Sequence, residues 1–277
     1  MLITVINPNT TASMTRQIGT CATAVAAVGT SVVAVNPEMG PASIESHYDE
    51  ALAVPGLLAE IERGERSGSD GYVIACFGDP GLDAARELAR GPVVGIAEAA
   101  MHYATFLGRG FGVVTTLSRT LGRARDLVGH YGFARQCVSL RGCEVPVLEL
   151  EDPAGGAYAA ILAECRSAVD DDGAEVIVLG CAGMADLCAR LSAEVGVPVV
   201  DGVAAAVKQV EALVTLGLRT SDVGEFAPPP PKAYSGLLSG HGLVATERFQ
   251  RPRVPSVAPL PPNEASRAPI AEEVIGR

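Results

Sequence analysis

The 277-residue sequence has no tryptophan, and only 19% of its residues are charged. Its 21 lysines and arginines are outnumbered by 32 acidic residues and form no basic cluster. A net charge of −11 repels phosphate backbones and anionic headgroups, so neither nucleic acid nor a membrane surface is an expected partner. No uncharged apolar window reaches the roughly 18 residues a membrane-spanning helix needs. Residues 1–6 carry no basic segment followed by a long apolar one, so they do not read as a secretion signal, and a cytoplasmic location is expected. The seven cysteines are odd in number and scattered. A chain of this length has core enough without staples, and reduced thiols are the expectation. The spacings of Cys137 with Cys143, and of Cys181 with Cys188, do not match zinc motifs. His47, His102, His130 and His241 are not interleaved to complete such a site, and no metal is expected.

What is present is an ordinary globular composition, 48% hydrophobic and rich in alanine, glycine and valine. Short β-branched runs alternate with alanine-rich stretches of helical period. Strands are predicted at 2–6, 31–35, 71–76 and 93–96, with helices at 10–27, 48–63, 81–89 and 98–106. The pattern then restarts, with strands at 110–115, 137–140, 175–180 and 197–200 and helices at 121–131, 156–170, 184–195 and 203–216. Such alternation predicts an α/β fold of parallel sheets covered by helices on both faces. The wholly apolar run at 176–179 fits a central strand.

The restart is an internal duplication. VIACFG at 73–78 matches VLGCAG at 178–183, which sets Cys76 and Cys181 105 positions apart. PVVG at 92–95 matches PVVD at 198–201, 106 apart, and residues 3–7 align loosely with 111–115. Two pseudo-symmetric lobes follow, each a mostly parallel sheet flanked by helices, with the active site in the cleft between them. The first lobe is expected from 1–100 with 205–240, the second from 101–204. Residues 245–277 read as a proline-rich disordered tail.

In open α/β sheets ligands bind beyond the carboxyl ends of the strands. Those ends carry Asn7 to Thr10, Cys76 to Asp79, Thr115 with Thr116, and Cys181 to Gly183. A single strand-end cysteine is an ordinary small buried residue. Two at equivalent ends of duplicated strands are a different matter. Each precedes a predicted helix, whose N-terminus lowers a thiol's pKa and makes it a usable base. A thiolate on one side of a carbon acid and a thiol on the other can invert it, and the reverse reaction exchanges their roles. The carbanion needs donors at its carbonyl oxygen, which the backbone amides after each cysteine could supply. No cofactor is required if the substrate proton is already acidic.

The chain resembles the hydantoin/allantoin racemase branch of the aspartate/glutamate racemase superfamily. The resemblance is carried by VINPNT at 5–10 with Met14 and Thr15, SIE at 43–45, HYDEA at 47–51, IACFGDPG at 74–81 and PVVGIAEAAM at 92–101. It continues through VVTTL at 113–117 with Arg119 and Thr120, VLGCAGM at 178–184 and PVVDGV at 198–203, and covers about residues 1–235. It implies a two-lobed α/β fold, no cofactor, assembly above the monomer, and two-base racemisation at C5 of allantoin or a 5-substituted hydantoin. Carried over by motif, Cys76 and Cys181 are the acid/base pair. Asn7, Ser43, Gly78, Thr115, Thr116, Ala182 and Gly183 are the implied substrate-binding set.

Blander roles stand beside these. Asn7 and Asn9 can build a turn and cap the following helix. Thr115 and Thr116 can serve as strand-end residues. Asp79 can cap the helix after Pro80. His102 is spaced to pair with Glu98 on a helix surface, and Glu45 and His47 fall in a loop that can act as a lid. Other functions considered are an amino-acid racemase, a maleate isomerase, an arylmalonate decarboxylase and a non-catalytic binding protein. A decarboxylase of this type needs one reactive cysteine. An amino-acid racemase must hold a free carboxylate and ammonium, and the strand ends show no distinctive charged cluster to do so. A binding protein needs no paired thiols.

Overall fold

Strands and helices alternate as the periodicity predicts, across the described residues 1–152 and 156–241 of the computed structural model. The expected tail at 245–277 lies outside those residues. The first half runs β1 (Leu2–Ile6), α1 (Ala12–Val25), β2 (Ser31–Val35), α2 (His47–Ser67), β3 (Gly71–Ile74), α3 (Leu82–Leu88), β4 (Val93–Gly95) and α4 (Ile96–Leu107). The second half repeats the order with β5 (Phe111–Thr115), α5 (Leu121–His130), β6 (Cys137–Gly142), α6 (Ala157–Asp170), β7 (Val176–Leu179), α7 (Cys188–Val195), β8 (Val199–Val200) and α8 (Gly202–Thr215). Each half forms a four-stranded parallel sheet, with strand orders β2-β1-β3-β4 and β6-β5-β7-β8. The two pseudo-symmetric lobes read from the repeat are present.

Boundaries differ in three informative places. β3 stops at Ile74 rather than 76; the Ala75 N–H still donates to the Ile6 carbonyl at 2.8 Å, and Cys76 lies beyond the strand. The helix expected at 184–195 begins as a 3₁₀ segment, Ala182–Leu187, before α7. Such tightening is frequent where the first N–H groups of a helix have no partner four residues back. α2 starts at His47 instead of after it, because the Ser46 hydroxyl accepts from the Asp49 N–H at 3.2 Å and caps it.

Side-chain alternation along the strands divides the core. Ile3, Val5 and Val73 face one way and, with Val113, Val176 and Val178, join one cluster shared by both lobes. Ile6, Tyr72 and Ile74 face outward toward α2 and α3, and Val114, Ile177 and Leu179 toward α6 and α7. Helices α4 and α8 pack on each other inside the shared cluster. Each also lies against the opposite sheet, α4 on β7 and α8 on β3. Small residues allow this approach: a side chain at Gly202 would lie 2.6 Å from the Ile96 carbonyl oxygen.

Candidate active site

In a sheet of order 2-1-3-4 the chain leaves β1 and β3 in opposite directions. The crevice at their carboxyl ends is where such sheets bind ligands. Asn7 and Cys76 stand at that point in the first lobe, Thr115 and Cys181 at the equivalent point between β5 and β7. Both crevices open on one cavity of about 120 Å³, lined by Asn7, Cys76, Gly78, Thr115, Thr116, Cys181 and Ala182 among others. Of the implied binding set, Ser43 is not in that lining; its neighbours Ile44 and Ser46 are. Gly183 stands behind Cys181, where an added side chain would lie 3.7 Å from the sulfur and 3.0 Å from Leu150.

The two cysteine turns share a design. The Asp79 N–H donates to the Cys76 carbonyl at 3.0 Å, and the Met184 N–H to the Cys181 carbonyl at 3.1 Å. Two residues past each cysteine a glycine N–H favours the thiolate, Gly78 for Cys76 and Gly183 for Cys181. Both thiols are largely buried and line the cavity. Gly180, before Cys181, has no room for a side chain, since one would lie 2.6 Å from Thr115 Cβ.

The expectation of acidified thiols is corrected. Burial pushes Cys76 up to about 12 and Cys181 up to about 11, and the glycine N–H groups offset only part of this. The charge of Cys181 raises Cys76 further, as do Asp79 and Glu50. No α-helix begins directly at either thiol. α3 starts six residues after Cys76, and Cys181 leads into a 3₁₀ segment.

Neighbouring residues build the turns around the cavity and also line it. Asn7 donates to Asn9 Oδ1 at 2.8 Å and to Thr15 Oγ1 at 3.0 Å, and Asn9 Oδ1 accepts from the Thr11 N–H at 2.9 Å. The pair therefore builds the turn into α1 while lining the cavity. The Thr115 hydroxyl donates to the Gly180 carbonyl at 2.9 Å and ties β5 to the Cys181 turn. Glu45 accepts from the Val147 N–H at 2.7 Å, joining the two lobes, and His47 lines the cavity.

Asp79 caps a helix, but not the one after Pro80. Its carboxylate accepts from the N–H groups of Ala97 and Glu98, at 3.1 and 3.0 Å, at the start of α4. Tyr131 donates to it at 2.7 Å. Burial raises it to about 6 against these hydrogen bonds. The turn brings Asp79 there at φ 45°, a left-handed conformation that aspartate tolerates better than most residues. The surface pair of His102 with Glu98 does not form. Glu98 bonds to Arg86 at 2.5 Å, and His102 packs edge-on against Phe133 at 4.9 Å.

Charged groups absent from the strand ends reach the cavity from helices. Glu50 on α2 and Arg123 on α5 line it and form an ion pair at 2.9 Å, with Arg119 and His47 also in the lining. Sequence reasoning missed Glu50 and Arg123, which carry no strand-end signal. Among the described residues no group of three or more histidines, cysteines and carboxylates is placed to hold a metal ion, and no helix is long and apolar enough to cross a membrane.

Comparison with known proteins agrees with this geometry. The chain is 52% identical over 236 residues to a hydantoin racemase from Rhizobium meliloti, covering 85% of this chain and 98% of that one. An allantoin racemase structure from Klebsiella pneumoniae matches with a TM-score of 0.85 and 54% identity, over 87% of this chain and 99% of that one. The allantoin racemase of Pseudomonas fluorescens matches with a TM-score of 0.82 and 42% identity, over 85% and 100%. The model of the Asp/Glu/hydantoin racemase family matches residues 3–210, which span both cysteine turns and both sheets, and the chain belongs to that family.

Proposed function

We propose that this protein is a cofactor-independent racemase that inverts C5 of allantoin or of a 5-substituted hydantoin, with Cys76 and Cys181 as its two proton-transfer groups. The observation that carries the reading is the pair of equivalent cysteine turns opening on one cavity. One sulfur, as thiolate, takes the C5 proton from one face. The electron pair left on C5 delocalises into the adjacent ring carbonyl as an enolate. The other cysteine, as thiol, then delivers its proton to the opposite face. The two sulfurs end with their protonation states exchanged, ready for the reverse direction. Asn7, Thr115, Thr116, Gly78 and Ala182 orient the ring, with Ser43 and Gly183 acting from behind the lining.

A neutral ring suits the cavity. Glu50 and Arg123 satisfy each other at 2.9 Å, so that pair presents no net charge, and Arg119 adds a cation to the lining that suits the carbonyl oxygens of such a ring. The lobes are taken as 1–100 with 205–240 and 101–204, since α8 packs on β3 and β4 of the first sheet. The family resemblance further supports a cytoplasmic homo-oligomer, and the net charge of −11 a protein that binds no nucleic acid. Light scattering reads the assembly.

The chemistry is tested in deuterated buffer with enantiopure allantoin and several 5-substituted hydantoins. Optical rotation should decay as the C5 proton is replaced by deuterium. Cys76→Ser and Cys181→Ser should each lower racemisation at least a thousandfold, a loss on the scale of removing an essential proton-transfer group. Each variant can retain exchange from the one enantiomer whose C5 proton faces its surviving thiol. Normal racemisation by both single variants would refute the mechanism.

A further inference from the structure

Gln17 on α1 and Arg123 on α5 lie on the first α-helix of each half, 106 positions apart and two residues out of step with the 108-residue offset between β1 and β5. These two side chains make the same crossing in opposite directions. Arg123 reaches from the second lobe and donates through Nε and Nη2 to the Gly78 carbonyl, at 3.1 and 2.7 Å. Gln17 reaches from the first lobe and donates through Nε2 to the Gly183 carbonyl, at 3.5 Å. Gly78 and Gly183 are the residues whose N–H groups favour the two thiolates. On the reading of these cysteines as proton-transfer groups, we propose that Arg123 and Gln17 are reciprocal positioning residues. Each lobe holds the cysteine turn of the other, firmly at Cys76 and loosely at Cys181.

The geometry explains both the function and the inequality. A glycine turn flips its peptides easily, and a flip would take the N–H away from the sulfur. The clamped carbonyl belongs to the next peptide, so the brace fixes the far side of the glycine α-carbon and holds the turn that carries the N–H in place beside the sulfur. At Cys76 the clamp is a two-donor cationic fork, itself held by Glu50 at 2.9 Å. Tyr131, also from the second lobe, adds a bond to Asp79 in the same turn. At Cys181 the clamp is one neutral amide at the limit of hydrogen-bond length. Met184 stands where the first lobe has Asp79, so no carboxylate is available there. The Cys76 turn therefore cannot shift without parting the lobes, whereas the Cys181 turn can adjust as substrate enters.

Alkylation by iodoacetamide at pH 9, read for each cysteine by peptide mass spectrometry on the full chain, tests this without substrate. In a Glu50→Gln/Arg123→Met double variant, which removes clamp and counter-charge together, Cys76 should react about tenfold more slowly, the effect of one pKa unit. Cys181 should stay within about twofold of the parent. Gln17→Met should slow Cys181 alone, and by less. If the double variant fails to fold, Arg123→Lys carries the test: it keeps the charge, loses the fork and should still slow Cys76. Equal effects on both cysteines, no effect, or faster reaction at Cys76 would overturn the proposal. A protein that alkylates as expected yet racemises no hydantoin would overturn the functional reading and leave the braces standing.

Discussion

Burial outweighs the single glycine N–H offered to each sulfur, so both thiols are held protonated well above their ordinary range. Below the folded-state pKa the thiolate fraction grows tenfold with each pH unit, so kcat/KM for racemisation is expected to climb through pH 7 to 10 with no plateau near 8. A flat profile across that window, measured by polarimetry, would mean that a thiol is already ionised in the free enzyme. Gly180, the residue before Cys181, has no room for a side chain. Gly180→Ala would drive a methyl to within 2.6 Å of Thr115 Cβ and 3.0 Å of its Cα. Backbone must move, and we expect a loss of about 1–3 kcal/mol in urea denaturation. A tenfold or greater fall in kcat should accompany it, because Cys181 is the next residue. At this scale the sequence shows the two cysteines through their place in the repeat. It does not show Glu50 or Arg123: a helical carboxylate and guanidinium look like solvated surface groups until tertiary packing turns them into one cavity. Nor does any pattern along the chain mark Arg123 or Gln17 as a bridge between the lobes.

Helices α4 and α8 occupy equivalent places yet are capped differently. Asp201 caps α8 from the position before it, its two oxygens accepting from the Val203 and Ala204 N–H groups at 2.9 Å each. The equivalent residue before α4 is Gly95, whose missing side chain leaves the space that the Asp79 carboxylate fills; a Cβ there would lie 2.2 Å from Asp79 Cγ. The first lobe thus caps its crossing helix with a residue from the Cys76 turn. Asp201→Ala should cost about 1 kcal/mol of stability with kcat little changed, the ordinary effect of losing a cap. Asp79→Ala should cost more, since it strands two helix N–H groups and the Tyr131 hydroxyl, and should also lower kcat. Equal effects of the two substitutions, compared by denaturation and by assay, would show that Asp79 has no part in shaping the cysteine turn.

At the scale of the molecule, every one of the seven thiols is raised by burial, six of them to about 11 or 12. The sign follows directly. Above pH 9 the unfolded chain releases thiol protons that the folded chain keeps, so stability falls as pH rises from about 9 through the folded-state values. The urea midpoint should be lower at pH 10 than at pH 8, and replacing the buried Cys165 by alanine should reduce that difference. An unchanged midpoint would mean that the thiols lose no more solvation on folding than the unfolded chain does.

Local periodicity and the internal repeat determined the fold class, the order of strands and helices, the two lobes and the pair of cysteines, because each depends on residue type and spacing within one lobe. The tertiary structure alone decided the rest. It set the thiols' protonation, which depends on how completely protein replaces water around each sulfur. It sent Asp79 to the N-terminus of α4 instead of the helix that follows it in sequence. It brought Arg123 and Gln17 across the cleft to the opposite cysteine turns. Those are contacts between distant segments, and their energies come from burial and charge in three dimensions rather than from any pattern along the chain.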